Sequence, residues 1–221
     1  MGLVSGVRVR QWAAVRVSAA DGAQEEFGQT KGEEAIPPAL RRRMGRLERL
    51  AVRCTLSVLA DASTDELIFC SRYGNVESLS TLLRGIAEGE LTSPMGFSGS
   101  VHNAAPGLVG QIRQERLSHT AVAAGRQTLA AALVEAYARL QSEECESVTV
   151  ILADLPLPDH FHEFEDELLP GLALAMRIEL GGEGDAAVEL APGRAGALAL
   201  LERLKSGING ISVGGASWQT H

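Results

Sequence analysis

The sequence predicts a layered α/β fold, and three observations carry that expectation. Strand-patterned runs at Val7–Val17, Asp65–Cys70 and Ser147–Ala153 alternate with helical patterns at 37–58, 127–140 and 194–204. The 221 residues suffice for one compact domain, 1–221, with a sizeable core. A composition of 45% apolar and 22% charged residues is that of an ordinary globular chain and excludes disordered and fibrous classes.

Val7 to Val17 alternates loosely, as in Val7-Arg8-Val9-Arg10, and suits a strand. Ser18 to Glu34, rich in Gly, Gln and Glu, reads as a loop. Pro37-Pro38 opens a helix, since a first-turn proline lacks only an N–H that has no helical partner there. Leu40, Met44, Leu47, Ala51, Cys54 and Val58 follow at spacings of four and three, which lays them on one core-facing stripe of a helix that runs to Val58. Asp65–Cys70 is a buried strand, left through the turn Tyr73-Gly74-Asn75. Ser78–Ala87 is a helix with Leu79, Leu82, Leu83 and Ile86 on one side, Gly89 just past its end and Thr92-Ser93-Pro94 as its stop. A helix over Leu108–Gln114, a buried strand over Leu117–Ala123 ended by Gly125, and a helix over Gln127–Leu140 follow. Ser147–Ala153, Leu172–Leu180 and Ala187–Leu190 are strands, Arg194–Leu204 is the last helix, and the Gly- and Ser-rich 207–221 reads as a mobile tail. No internal repeat is present.

The formal net charge of −8 has the wrong sign for neutralising phosphates, which sets nucleic acid aside as a partner. Lys31 and Lys205 are the only lysines among 20 basic residues, a bias of genome composition rather than function. No apolar run approaches the ~20 residues of a membrane span, and Met1-Gly2-Leu3-Val4 lacks the order of a signal peptide, so a cytoplasmic protein is expected. Cys54, Cys70 and Cys145 are odd in number and widely spaced, without a Cys-x-x-Cys pair, which supports neither a disulfide framework nor a zinc site.

Three segments carry a resemblance. They are Ile36-Pro37-Pro38-Ala39-Leu40-Arg41-Arg42-Arg43-Met44-Gly45-Arg46-Leu47, Phe69-Cys70-Ser71-Arg72-Tyr73-Gly74, and Ser93-Pro94-Met95-Gly96-Phe97-Ser98-Gly99-Ser100-Val101-His102-Asn103-Ala104-Ala105-Pro106-Gly107. A looser fourth is Asp154-Leu155-Pro156-Leu157-Pro158. Together they resemble the N-terminal half of the β-ketoacyl synthase family over about residues 7–180, and look most like the short ketosynthase-like proteins found with bacterial aryl polyene and related pigment pathways. The resemblance implies a thiolase-like half, a mixed sheet with helices on both faces. It also implies substrates that arrive on acyl carrier proteins.

The departures from that family are as informative as the match. Active members place a nucleophilic Cys at the sharp turn between a buried strand and a long helix, where the helix N-terminus favours the thiolate. Here that turn is Val122-Ala123-Ala124-Gly125-Arg126-Gln127, with Gly125 in the nucleophile's register. Glycine has no side chain to acylate. The family's two histidines belong to a C-terminal half for which residues 181–221 are too few. The resemblance therefore implies no catalytic residue on this chain. It implies instead a chain-length-factor-like, non-catalytic subunit of a 3-oxoacyl-carrier-protein synthase, paired with an active ketosynthase subunit as a heterodimer. It further implies that Leu117, Ser118, His119, Thr120, Ala121, Val122 and Ala123 pair across the dimer two-fold. His102-Asn103, next to a Gly-rich turn, reads as a structural turn at that interface or as a pair that orients a ligand.

Other candidates carry less. Arg42, Arg46, Arg49 and Arg53 repeat at helical spacing, as a solvated face or as a docking stripe for an acidic carrier protein. Asp159-His160-Phe161-His162 places two imidazoles two apart with acidic neighbours, but no third ligand at a defined spacing, so no metal and no cofactor is expected. Gly96-Phe97-Ser98-Gly99 is not a hydrolase elbow. Two alternatives stand beside the partner-subunit reading: a self-sufficient acyl-transferring enzyme using Cys70 or Ser98, and a homodimeric acyl-binding protein. Cys145, between Glu144 and Glu146, is a poor nucleophile.

Overall fold

The computed structural model describes residues 6–29, 31–59, 66–143, 145–182 and 187–213. One mixed sheet is built from β1 (Gly6–Val17), β2 (Gln24–Gly28), β3 (Glu66–Cys70), β4 (His119–Val122), β5 (Val148–Asp154), β6 (Gly171–Leu180), β7 (Ala187–Val188) and β8 (Gly210–Ser212). Its order is β4-β3-β5-β6-β1-β8-β7, with β2 added to β1. β3 runs parallel to β4 and β5, whereas β6 is antiparallel to both β5 and β1. The carboxyl ends of β1, β3, β4 and β5 therefore open on one rim, where α/β sheets place their sites.

Helices cover both faces. On one face α2 (Arg46–Leu59) and α5 (Ala104–Arg113) bury Ala51, Cys54, Val58 and Val109 against Leu67, Phe69, Ile151 and Ala173 of the sheet. On the other, α6 (Thr128–Gln141) and α7 (Gly193–Lys205) bury Leu133, Ala136, Leu140, Leu200 and Leu201 against Ile68, Val150, Leu174 and Met176. Each such leucine contributes about 1.5–3 kcal/mol through removal from water. β3 and β5, covered on both sides, read as continuous apolar runs for this reason.

Several expectations change. The 18–34 segment is no plain loop, because 24–28 returns as β2, antiparallel to β1. The long helix divides into α1 (Pro38–Arg41) and α2, with a break at Gly45, whose missing Cβ leaves room for the Glu48 carboxylate. α3 (Val76–Ala87) begins earlier than its leucines suggest, because the Asn75 side chain caps it by accepting from the Ser78 N–H. Pro94 starts α4 (Pro94–Ser100) rather than stopping a helix, with Ser93 as its cap, and α5 likewise begins before Leu108. The segment read as a mobile tail supplies β8 through Gly210–Ser212, paired with β1 where β2 leaves that edge open. Residues 1–5, Asp65 and 214–221, on which parts of the sequence reading fall, lie outside the described residues.

Candidate functional site

The strand-to-helix turn lies between β4 and α6. Gly125 holds φ at +55°, a left-handed conformation that glycine adopts freely and other residues adopt at about 1–2 kcal/mol. Thr128 fixes the turn, its hydroxyl donating to the Gly125 carbonyl at 2.8 Å and accepting from the Ala124 N–H at 2.9 Å. A Cβ at residue 125 would meet nothing within 4 Å. The position is thus a left-handed strand-to-helix turn at the amino end of a 14-residue helix, with open space where a side chain would stand. Gly125→Cys is expected to be alkylated by iodoacetamide at residue 125 at least about tenfold faster than Cys54 or Cys70, as peptide mapping would read. Both native thiols are fully buried, and desolvation pushes Cys54 up to about 12 and Cys70 well above the usual thiol range.

Behind the turn the space is small. A cavity of about 20 Å³, room for about one water molecule, is lined by Arg72, Arg126, Leu129, Asp154, Glu167 and Arg194. Asp154 closes β5 and is pushed up by burial, against the pull of the Ser71 hydroxyl and the Arg72 N–H, each at 2.9 Å. Asp166 accepts from Arg72 at 2.6 and 3.1 Å and from Arg126 at 3.1 Å, and the Arg72 hydrogen bond chiefly holds its carboxyl at about 2. A depressed carboxyl contributes its stability above the ordinary value of 3.8 and loses it as pH falls toward 2, so these contacts persist at neutral pH. Glu167 accepts from the Arg194 N–H at 2.7 Å, and the Arg194 guanidinium pairs with Glu165.

β4 is the edge of the sheet, as a strand that pairs across a two-fold would be, but it is partly exposed rather than buried. The Leu67 and Ser71 N–H groups donate to the Ser118 and Val122 carbonyls at 3.0 and 3.3 Å, so by alternation the backbone groups of His119, Ala121 and Ala123 point outward. His119, Ala121, Ala123 and Ala124 are exposed, while Leu117, Thr120 and Val122 are half-buried. α3 and α4 lean on one another, and α4 rests on α5. These helices and the link between them expose Leu79, Leu83, Ile86, Leu91, Met95 and Phe97, with Phe97 60% accessible. Ser80 is the one buried residue of α3. The amphipathic spacing of α3 was legible; that its apolar side faces away from this chain's core was not.

The remaining candidates scatter. The His102 ring sits 5.3 Å from Phe69, edge to face, and its Nε2 lies 3.0 Å from the Ser71 carbonyl. A Cβ on Gly74, at φ +66°, would approach that ring to 3.1 Å, so His102 and Gly74 form a structural corner, while Asn103 is the N-cap residue of α5 without a side-chain bond. Arg42 lies in the turn before α2 and so leaves the helical stripe. Arg53 is spent on Glu26 at 3.2 Å, and Arg46 donates to the Gly22 carbonyl, leaving Arg42, Arg46 and Arg49 as the exposed members. His160 and His162 do not converge: His160 Nε2 meets Ser80 Oγ at 2.6 Å and His162 Nε2 lies 3.6 Å from Asp159. The segment is a 3₁₀ turn, and no group of three or more ligating residues forms among the described residues. The Ser98 hydroxyl donates to the Pro94 carbonyl within α4, and Cys145 is half-buried. Arg72, Arg126 and Arg194 escaped the sequence reading, since three arginines spread over 122 positions share no spacing signal.

The family model of the β-ketoacyl synthase N-terminal domain matches residues 10–205. Among solved structures the chain is similar to one described as the ketosynthase ApeO in complex with its chain length factor ApeC from Xenorhabdus doucetiae. The TM-score is 0.68 at 24% identity, over 80% of this chain and 80% of that one. It is similar to the ishigamide ketosynthase/chain length factor at 0.63 and 19%, over 82% and 63% of the two chains. A β-ketoacyl synthase from Burkholderia phymatum STM815 gives 0.55 and 14%, over 80% and 59%. At these identities the likeness is one of fold. No curated protein matches the sequence. No helix among the described residues is long and apolar enough to cross a membrane.

Proposed function

The chain belongs to the β-ketoacyl synthase family through its N-terminal domain, and on that premise we propose that it is a catalytically silent, chain-length-factor-like partner of an active ketosynthase. The observation that carries this reading is the left-handed Gly125 turn, which has no side chain to acylate. The nucleophilic cysteine and the histidines come from the partner, and this chain shapes the acyl tunnel at the shared boundary. Acyl intermediates of the aryl polyene type arrive on an acyl carrier protein, with the exposed Arg42, Arg46 and Arg49 as its docking cations in a protein of net charge −8. The action takes place in the cytoplasm.

The outward edge of β4 and the apolar α3–α4 ridge support a partner, because an open strand edge is a template for pairing with another chain and exposed apolar patches mark interaction sites. The small side chains of Ala121, Ala123 and Ala124 let a second strand approach. Self-sufficient acyl transfer loses its candidates: Cys70 is buried with its thiol pushed up, and the Ser98 hydroxyl is turned onto its own helix. Co-expression with a full-length ketosynthase encoded nearby, followed by size exclusion with mass determination, is expected to yield a stable one-to-one complex. Elution of this chain alone, as monomer or homodimer, would replace the reading with an independent acyl-binding role.

A further inference from the structure

The β5–β6 connection, residues 155–170, carries the 3₁₀ turn Asp159–Phe164 and is longer than the roughly 2–6 residues common between elements of α/β folds. It crosses the carboxyl-end rim over the Gly125 turn and is tied down along its length. Ser80 meets His160 at 2.6 Å, and the Tyr73 hydroxyl donates to the Phe164 carbonyl at 3.0 Å. The Glu165-Asp166-Glu167 run is then gripped by three arginines from three separate elements. Arg72 follows β3 and Arg126 follows Gly125 directly; both bind Asp166, and Arg126 lies 3.5 Å from Glu167. Arg194, in the first turn of α7, binds Glu165 and donates to the Glu167 and Leu169 carbonyls at 3.0 and 3.2 Å. Beneath this seam lies the cavity of about 20 Å³.

We infer that residues 155–170 form a charge-latched strap that seals this chain's half of the site, so that no acyl group enters behind Gly125. The strap needs no partner, for every latch residue lies on this chain. Its consequence rests on the partner reading: an acyl chain would be confined to the ketosynthase side and the shared boundary. The silence of this subunit is then doubly secured, by the missing nucleophile and by a pocket with room for about one water.

The test uses the purified full-length chain alone. Hydrogen exchange followed by mass spectrometry is expected to find amides of 159–169 protected, and to exchange them at least about tenfold faster in Asp166→Asn with β5 and β6 unchanged. Arg72→Gln removes the same latch from the opposite side and replaces the first variant should it fail to fold. A diazirine-bearing fatty acid, photolysed with the native chain, is expected to leave peptides 122–130 and 191–198 unlabelled. Strap amides that exchange as fast in the native chain as in the variants would overturn the latch, and label in either peptide would overturn the seal. Failure to bind a ketosynthase would leave both results standing, and failure of the strap would leave complex formation untouched.

Discussion

Ala121→Pro is expected to abolish the complex with a ketosynthase while leaving this chain folded. The ladder from β3 reaches Ser118 and Val122, so the even positions of β4 bond inward and the Ala121 N–H points outward. Proline is tolerated on an edge strand where its missing N–H faces away from the sheet, and there it removes a donor and places a ring in the path of an added strand. Leaving the partner's carbonyl buried and unsatisfied costs about 1–3 kcal/mol, roughly tenfold to hundredfold in affinity before the steric penalty is counted. Thr120→Pro, one residue away, strikes the inward ladder and is expected to lower the thermal midpoint of the chain itself. Size exclusion with mass determination reads the first effect and thermal melting the second. An intact complex with Ala121→Pro would move the interface elsewhere, the α3–α4 ridge being the next surface to alter.

Arg194→Ala or Glu165→Gln should destabilise the chain by about 3–5 kcal/mol, because either leaves a buried charge without its counterion. The two side chains are only 6% and 3% accessible. At about 2–4 °C per kcal/mol for a domain of this size, the thermal midpoint should fall by roughly 6–20 °C. The double change Arg194→Met with Glu165→Leu should recover much of the loss, since a buried pair often does little better than apolar groups of similar volume. A single change costing less than about 1 kcal/mol would mean that water reaches the pair, and would weaken the case for a tight strap. The Asp166 contacts, being exposed, should contribute little to global stability while still governing local opening of the strap.

Gly125→Cys bears on both arguments. It is expected to gain a reactive thiol and no condensing activity, since on the proposed reading the decarboxylating histidines come from the partner and the pocket behind residue 125 holds about one water.

Much of the fold was legible because it depends on local periodicity. The alternation in β1, the apolar runs of β3, β5 and β6, and the stripe of Met44, Leu47, Ala51, Cys54 and Val58 each bury as their spacing requires. Elements that depend on a distant neighbour were not legible. β2, with its Gln-Glu-Glu start, is a strand because β1 offers it a ladder, and β8 forms because the same edge is free farther along. α3 misled in the opposite sense, since periodicity reports that a helix has an apolar side without saying whether that side meets its own chain or another.

The candidate site divides along the same line. That a glycine stands at the strand-to-helix turn, that the chain is acidic, and that strands and helices alternate are all matters of residue identity or short-range spacing, and the amino-acid order alone settles them. Only the packed sheet shows that β4 is exposed rather than buried, that the α3–α4 ridge faces outward, and that Arg72, Arg126 and Arg194 meet Glu165, Asp166 and Glu167 over a small cavity. The reason is physical: ion pairs and strand edges are relations between segments up to about a hundred residues apart, set by the packing of the sheet and invisible to any local pattern.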